Sequence, residues 1–456
     1  MQERENLLNW NMGKLFSKLA IPGMLGMLVI GLYNFADAIF VGQLVGEDAV
    51  GAVALLYSVV LFNQGILTLV GGGSMSLLSI AVGKKDQDTI DKLLGNLVAF
   101  ILVASGIFTI VTYIFSDEIV TFIGGRGEVH VLAVRYLKIL LIGFIPAALG
   151  PAMNFLVRGE GKMKAAMTIA GLSGALNIIL DPIFIKYFNF GIEGAAIATV
   201  ISQMFFMVSQ IIYFKTGKSI ITFNNFKIRF QKNVFSDVLK LGSSQMFMCF
   251  MAMIQQIFLF RALENYGGNS HVALMGGIFR LFLFAYLAVW GIGQGLQPLV
   301  GVNYGAKRYD RVKLGFKTFT MIGFIMTSIC WILFMIYPNF FLSLFIKDPS
   351  LVLEGTNLFR IFNIIFFAYI YFATSLNLFI GLGKAKEAGI LAISRQIVFF
   401  IPLVLILPKF VGVIGVWLSI PLADALTMLV GAYFNIKIFK EMKYEINNSD
   451  KLDAAI

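Results

Sequence analysis

Cysteine and histidine are scarce, two of each in 456 residues, and charged side chains make up only 13% of the chain. Cys249 and Cys330 both fall inside apolar runs, which excludes a disulfide framework. His130 and His271 stand apart, in or beside polar connections, and form no metal-ligand cluster. No histidine cluster, no serine or cysteine nucleophile with its base and no catalytic pair of acids is recognisable as a pattern, so the signature of an enzyme embedded in a membrane is missing. The scarcity of charge excludes a soluble domain as well. At 58% hydrophobic residues and a mean hydropathy of +0.84, the composition is that of an all-α polytopic membrane protein. The N-terminal stretch MQERENLLNWNMGKLFSKLA has no small-residue cleavage site after its apolar segment, so the first span is expected to be retained.

Phe and Gly supply 45 residues each, the pairing expected when apolar bulk faces lipid and small residues let helices approach. Twelve stretches are long enough to cross about 30 Å of hydrocarbon: 19–40, 51–82, 93–115, 132–156, 165–186, 191–214, 241–262, 273–303, 315–337, 354–380, 388–408 and 412–438. The second and eighth exceed one crossing, so they tilt or project. The formal net charge of +11 suggests nucleic acid until its placement is read. Most Lys and Arg residues lie at the N-terminus, in the alternate connections 83–92, 157–164, 215–240, 304–317 and 381–387, and in the C-terminal tail. That asymmetry sets topology, and it places both termini in the cytoplasm. The intervening connections are poor in basic residues, as in VGEDAV with Glu47 and Asp48.

An internal repeat appears when the chain is slid against itself by 222 positions. Lys18-Leu19-Ala20 then faces Lys240-Leu241-Gly242, Gly71 and Gly73 face Gly293 and Gly295, and Gly161-Lys162 faces Gly383-Lys384. With a one-residue slip, Gly191 and Gly194 face Gly412 and Gly415. Six spans per half is an even number, so both halves enter the membrane from one side, as two lobes related by a pseudo-two-fold axis along the membrane normal. The expected organisation is an N-terminal lobe over 1–214, a cytoplasmic linker over 215–240, a C-terminal lobe over 241–440 and a cytoplasmic tail over 441–456.

The repeat is not symmetric in its polar residues. The first span carries Asp37 well inside the apolar run 22–42, where its counterpart is Leu259. A charge in hydrocarbon costs at least about 2.5–3.5 kcal/mol, so it faces protein or water and has a task. Asp37 is read as an ion-binding group, the alternative being a helix-packing element satisfied by Tyr33 or Asn34. Pro22 lies fifteen residues earlier, roughly 22 Å along the helix, and is the weak point at which the helix can hinge. In the fifth span, Asn177 and Asp181 stack four residues apart on one face, where the second half has Phe399 and Leu403. Pro182 follows and frees a backbone carbonyl. Thr199 in the sixth span and Tyr136 at the start of the fourth add hydroxyls. Two carboxylates with amide and hydroxyl oxygens suit a shared proton or a hard monovalent cation, with Asp37 and Asp181 the metal ligands if Na+ is used. In one site the two cannot both stay ionised. Asp181 taken alone also reads as a helix-end carboxylate near the interface.

These spacings resemble those of the multidrug and toxic compound extrusion (MATE) transporters over essentially the whole length. The match is to the prokaryotic drug-exporting branch with a cation site in the N-terminal lobe. The residues that carry it are Pro22, Asp37 and Val41-Gly42, then Asn177-x-x-x-Asp181-Pro182, Thr199 and Tyr136, then Gln297 to Gly305 and Arg158 to Gly161. The resemblance implies two six-helix lobes around a central cavity, alternating access, and export of bulky, amphipathic, often cationic drugs or toxic metabolites in exchange for H+ or Na+. It also implies a substrate role for Tyr33 and Asn154, with Gln203 one turn beyond Thr199 and Tyr136 beside them. The expected setting is a bacterial inner membrane, with one chain acting alone, no organic cofactor and no nucleic acid.

The chain departs from a second branch that binds sodium through acids in the seventh and tenth helices. Here the seventh span offers Gln245, Gln255 and Gln256, and the tenth has Asn377. Arg395 and Asp424, in the eleventh and twelfth spans, are expected to neutralise each other. Arg280 has no acid in its own span, and is free to repel cations, bind an anion or snorkel. A lipid-linked precursor flippase of the same superfamily is the alternative function. It would want several cavity arginines and two further spans.

Overall fold

The computed structural model describes residues 2–221, 227–228, 230–346 and 348–453, and their regular structure is all helical. The expected linker over 215–240 includes 222–226 and 229, and the tail over 441–456 includes 454–456, which lie outside the described residues. In chain order the helices are α1 Gln2–Asn9, α2 Met12–Leu44, α3 Glu47–Lys84, α4 Gln87–Ile114, α5 Ser116–Phe122 and α6 Gly127–Ile142. They continue with α7 Phe144–Gly159, α8 Met163–Pro182, α9 Gly191–Lys215, α10 Lys232–Gly305, α11 Tyr309–Ile336 and α12 Pro338–Ser343. The last are α13 Pro349–Phe362, α14 Tyr369–Gly381, α15 Ala385–Ile393, α16 Ile401–Ile406, α17 Pro408–Val411 and α18 Val413–Asp453. Among the described residues, ten helical stretches are each long and apolar enough to cross a membrane, and the bent pair α6 and α7 makes an eleventh. Helix α10 holds two crossings, because Gly268 interrupts it at φ 67°. Twelve spans result, six in each half of the chain.

The repeat extends to the backbone. Lys85 and Lys307 are both left-handed, at φ 59° and 58°, and Gly161 and Gly383 both take positive φ, at 82° and 74°. The fourth and tenth spans, which correspond, are both broken. Helices α6 and α7 meet at 52° around Gly143, where Asn63 of α3 donates to the Phe144 carbonyl at 3.1 Å and accepts from Ser105 of α4 at 3.1 Å. The tenth span turns between α13 and α14, where Thr327 Oγ1 donates to Phe367 O at 2.8 Å and Trp331 Nε1 to Ile364 O at 3.1 Å. In each case a polar side chain from a neighbouring helix donates to a backbone carbonyl at the break.

Two compact units emerge, and neither is one continuous run of the chain. The first comprises Met1–Glu5 and Leu25–Met246, the second Asn6–Met24 and Phe247–Ile456. Helix α2 therefore passes from the second unit to the first at residues 24–25, and α10 from the first to the second at 246–247. Small residues explain the exchange. In the second unit, a Cβ on Gly295 would meet Ala20 N at 2.9 Å, and one on Gly23 would meet Gly291 O at 2.6 Å. In the first unit, a Cβ on Gly73 would meet Gly242 N at 3.0 Å, the repeat equivalent of the Gly295 contact. Backbones this close are held by glycine at the crossing.

On the side of the basic connections, Arg4 caps the end of α3, donating from Nε to Val82 O at 3.0 Å and from Nη2 to Gly83 O at 3.1 Å. Asp86 caps α4 by accepting from Thr89 N at 3.1 Å. Glu160, just past α7, is fully buried. It accepts from Ser219 Oγ, from Ile220 N at 3.2 Å and from the Tyr213 hydroxyl at 3.4 Å, and pairs with Lys162 Nζ at 3.5 Å. Nothing in the sequence patterns marks Glu160, which pins the chain leaving α9.

Candidate functional site

A ladder of small residues lets α2 and α8 run side by side within the first unit. Gly26 lies against Met167, a Cβ on Gly171 would meet Val29 at 3.8 Å, and one on Gly174 would meet Tyr33 Cδ1 at 3.0 Å. The spacing of four and three along each helix keeps these contacts on one seam. Continued by one turn on α2 and two on α8, the seam brings Asp37 to Asp181, and the two carboxyl groups interact directly.

Asp181 is fully buried and its Oδ1 accepts from Asn177 Nδ2 at 3.2 Å. Asp37 Oδ1 and Asp181 Oδ2 are also sheltered from solvent, without a hydrogen-bond partner among the described residues. Tyr136 of α6, 5% exposed, lies beside both carboxylates and the Thr199 side chain of α9. Asp37, Asn177, Asp181, Thr199 and Tyr136 thus come together from four helices. Among the described residues, no group of three or more His, Cys, Asp or Glu side chains is placed to hold a metal ion. A cation here would rest on two carboxylates and neutral oxygens.

Helix α8 does not stop at Pro182. It widens into a π-helical turn over Ile183–Tyr187, in which Phe188 N donates to Ile183 O at 3.0 Å. The missing proline N–H is absorbed by this wider turn, the kind of irregularity that gathers at functional sites. One turn beyond each carboxylate, Val41 and Ile185 belong to a buried apolar cluster with Ala52, Leu56, Leu140 and Ala195. The acids are closed off on that side by close-packed hydrocarbon.

The residues expected to touch substrate are differently placed. Tyr33 is half-buried and packs on Gly174. Asn154 is fully buried and both ends of its amide are used: Nδ2 donates to Ala166 O at 2.8 Å and Oδ1 accepts from Arg158 Nε at 2.8 Å. It ties α7 to α8. Gln203 tucks its amide oxygen behind the α6–α7 break, where a Cβ on Gly143 would meet it at 2.8 Å. Pro22 lies within unbroken helix. In the second unit, Arg395 Nε donates to Asp424 Oδ1 at 2.5 Å, so these two charges do neutralise each other, and Arg280 is exposed.

The family model described as MatE matches this chain twice, over residues 22–183 and 244–406. The chain belongs to the MatE family. The two matches begin 222 residues apart, the same shift as the internal repeat. Among relatives of this MatE chain, multidrug export protein MepA of Staphylococcus aureus (strain N315) is 28% identical over 421 residues, covering 91% of this chain and 92% of the relative. MepA of Staphylococcus saprophyticus is 26% identical over 421 residues and covers 90% of each. A solved outward-facing multidrug resistance MATE family transporter of the MOP superfamily superposes with a TM-score of 0.90 at 24% identity, over 96% of this chain and 98% of that one. A MOP superfamily transporter from Pyrococcus furiosus, described as having a binding pocket of reversed polarity suggestive of a different function, gives 0.88 at 25% identity with the same coverage. The fold and the family are thereby shown: a multi-pass membrane transporter.

Proposed function

We propose that this MatE protein is a secondary active exporter of bulky, amphipathic, often cationic drugs or toxic metabolites, driven by inward exchange of a cation through the Asp37–Asp181 pair. The observation that carries the reading is the contact between two carboxyl groups in a largely apolar setting. Two such groups in contact hold a proton between them more readily than they hold two charges, which favours H+ over Na+ as the coupling ion. The multidrug export named for the MepA relatives supports the substrate class. The protein works in a bacterial cytoplasmic membrane with both termini inside, an orientation supported by the basic connections. One chain is the working unit.

Uptake of the proton removes repulsion between α2 and α8 and lets them repack, and coupling follows if the proton and the substrate favour opposite arrangements. The test is substrate counterflow in proteoliposomes under an imposed pH gradient or an imposed sodium gradient. The pH gradient is expected to drive uptake of a fluorescent cationic substrate, and Asp37→Asn to abolish it while the protein remains folded. Unimpaired flux in that variant, or flux driven by sodium alone, overturns the proton assignment.

A further inference from the structure

The two histidines stand in different surroundings. His130 is partly exposed, and its Nε2 lies 3.2 Å from Thr121 Oγ1. His271 follows Gly268, where α10 resumes on the face opposite the basic connections, and both of its ring nitrogens are engaged. Trp417 Nε1 of α18 donates to His271 Nδ1 at 3.2 Å, and His271 Nε2 lies 3.3 Å from Glu354 Oε1 of α13. An indole N–H can only donate. Nδ1 therefore carries no proton in this arrangement, and the ring proton sits on Nε2, directed at Glu354.

The surroundings leave the ring little freedom. Trp417 is fully buried. Behind the imidazole, a Cβ on Gly267 would meet His271 Cγ and Val413 Cγ2, each at 2.6 Å. The ionisable side chain against the ring from α13 is Glu354; α18 contributes Trp417 and Val413, and α10 itself Gly267, none of which titrates. The Glu354 side chain is 47% exposed, so solvent protons reach the pair.

We propose that His271 is a second proton-binding site of this protein, in the unit that lacks the Asp37–Asp181 pair. An incoming proton takes the Nδ1 lone pair that the Trp417 N–H occupies. Two N–H groups then face each other and the Trp417 hydrogen bond is lost, while the imidazolium and Glu354 become an ion pair. One protonation releases α18 and tightens α13 on the start of the eighth span. Imidazole is the side chain whose charge ordinarily changes between about pH 5 and 8, so the site answers to acid on one face of the membrane.

The test needs neither substrate nor gradient, so its outcome is independent of the antiport reading. Nitrogen-15 spectra of histidine and tryptophan are recorded on the full chain in nanodiscs between pH 8 and pH 5, with His130→Gln to assign the two imidazoles. Expected are an Nε2–H tautomer for His271 at pH 8, conversion to the imidazolium on acidification, and a shift of the Trp417 indole N–H with the same midpoint. In His271→Asn, whose amide oxygen stands near the Nδ1 position and does not titrate, the Trp417 signal is expected to become independent of pH. An Nδ1–H tautomer, a His271 that stays neutral to pH 5, or a Trp417 signal that ignores its titration overturns the proposal.

Discussion

Single residues carry this protein where burial leaves polar groups few choices. Asp37 and Asp181 stood out in the sequence, because a carboxylate inside an apolar run must face protein or water. Asn177 was legible through its four-residue spacing. Asn154 and Gln203 are placed by contacts that no spacing reveals, the first by Ala166 O and Arg158, the second by the break at Gly143. Glu160 was silent for the same reason, since its donors come from residues 213–220. Burial pushes its carboxyl above the usual range, against the pull of Lys162, Ser219 and the Ile220 amide. A carboxyl raised on folding adds stability in its protonated form, present below the ordinary glutamate range and lost as the pH rises through the raised value. Glu160→Gln keeps an acceptor and cannot ionise. Melting temperatures across pH should therefore show the variant matching the parent in acid and losing less on the way to neutral pH, and parallel curves would remove Glu160 from the pH dependence.

At the scale of elements, α2 is the helix on which the proposed exchange would depend, because it carries Asp37 in one compact unit and Pro22 in the other. The change of unit falls within three residues of the proline, where the helix has lost a backbone hydrogen bond and bending is least costly. Pro22→Ala is expected to leave substrate affinity within about tenfold, roughly 1.4 kcal/mol, and to slow exchange sharply. Affinity and transport rate measured side by side decide this: normal turnover places the hinge elsewhere, and lost binding with proportionate turnover makes the proline a shaper of the site. The spans themselves were readable because each needs about twenty apolar residues. The interruptions at Gly143 and between α13 and α14 were not, since the donors that permit them, Asn63, Thr327 and Trp331, lie in other spans.

For the whole molecule, the repeat in sequence, the paired backbone conformations and the double family match agree on two halves of common descent with different polar contents. The proposed mechanism assigns cation coupling to the half that holds Asp37 and Asp181. Gln255→Ala and Gln256→Ala, in the seventh span, are therefore expected to retain pH-driven flux with modest loss, and loss of cation dependence in either would move the coupling site. The assignment of residues 6–24 to the second unit and 232–246 to the first was not legible, because it rests on close backbone contacts of Gly295, Gly23 and Gly73 rather than on any pattern. It bears on how the protein is made. A chain emerging from the ribosome inserts residues 6–24 long before the partners that will cover them, 247–456, exist. The first six spans then wait for 232–246 to complete their own packing. Assembly of either half cannot finish before synthesis of the other has begun, so a chain halted midway leaves its glycine-lined seams uncovered.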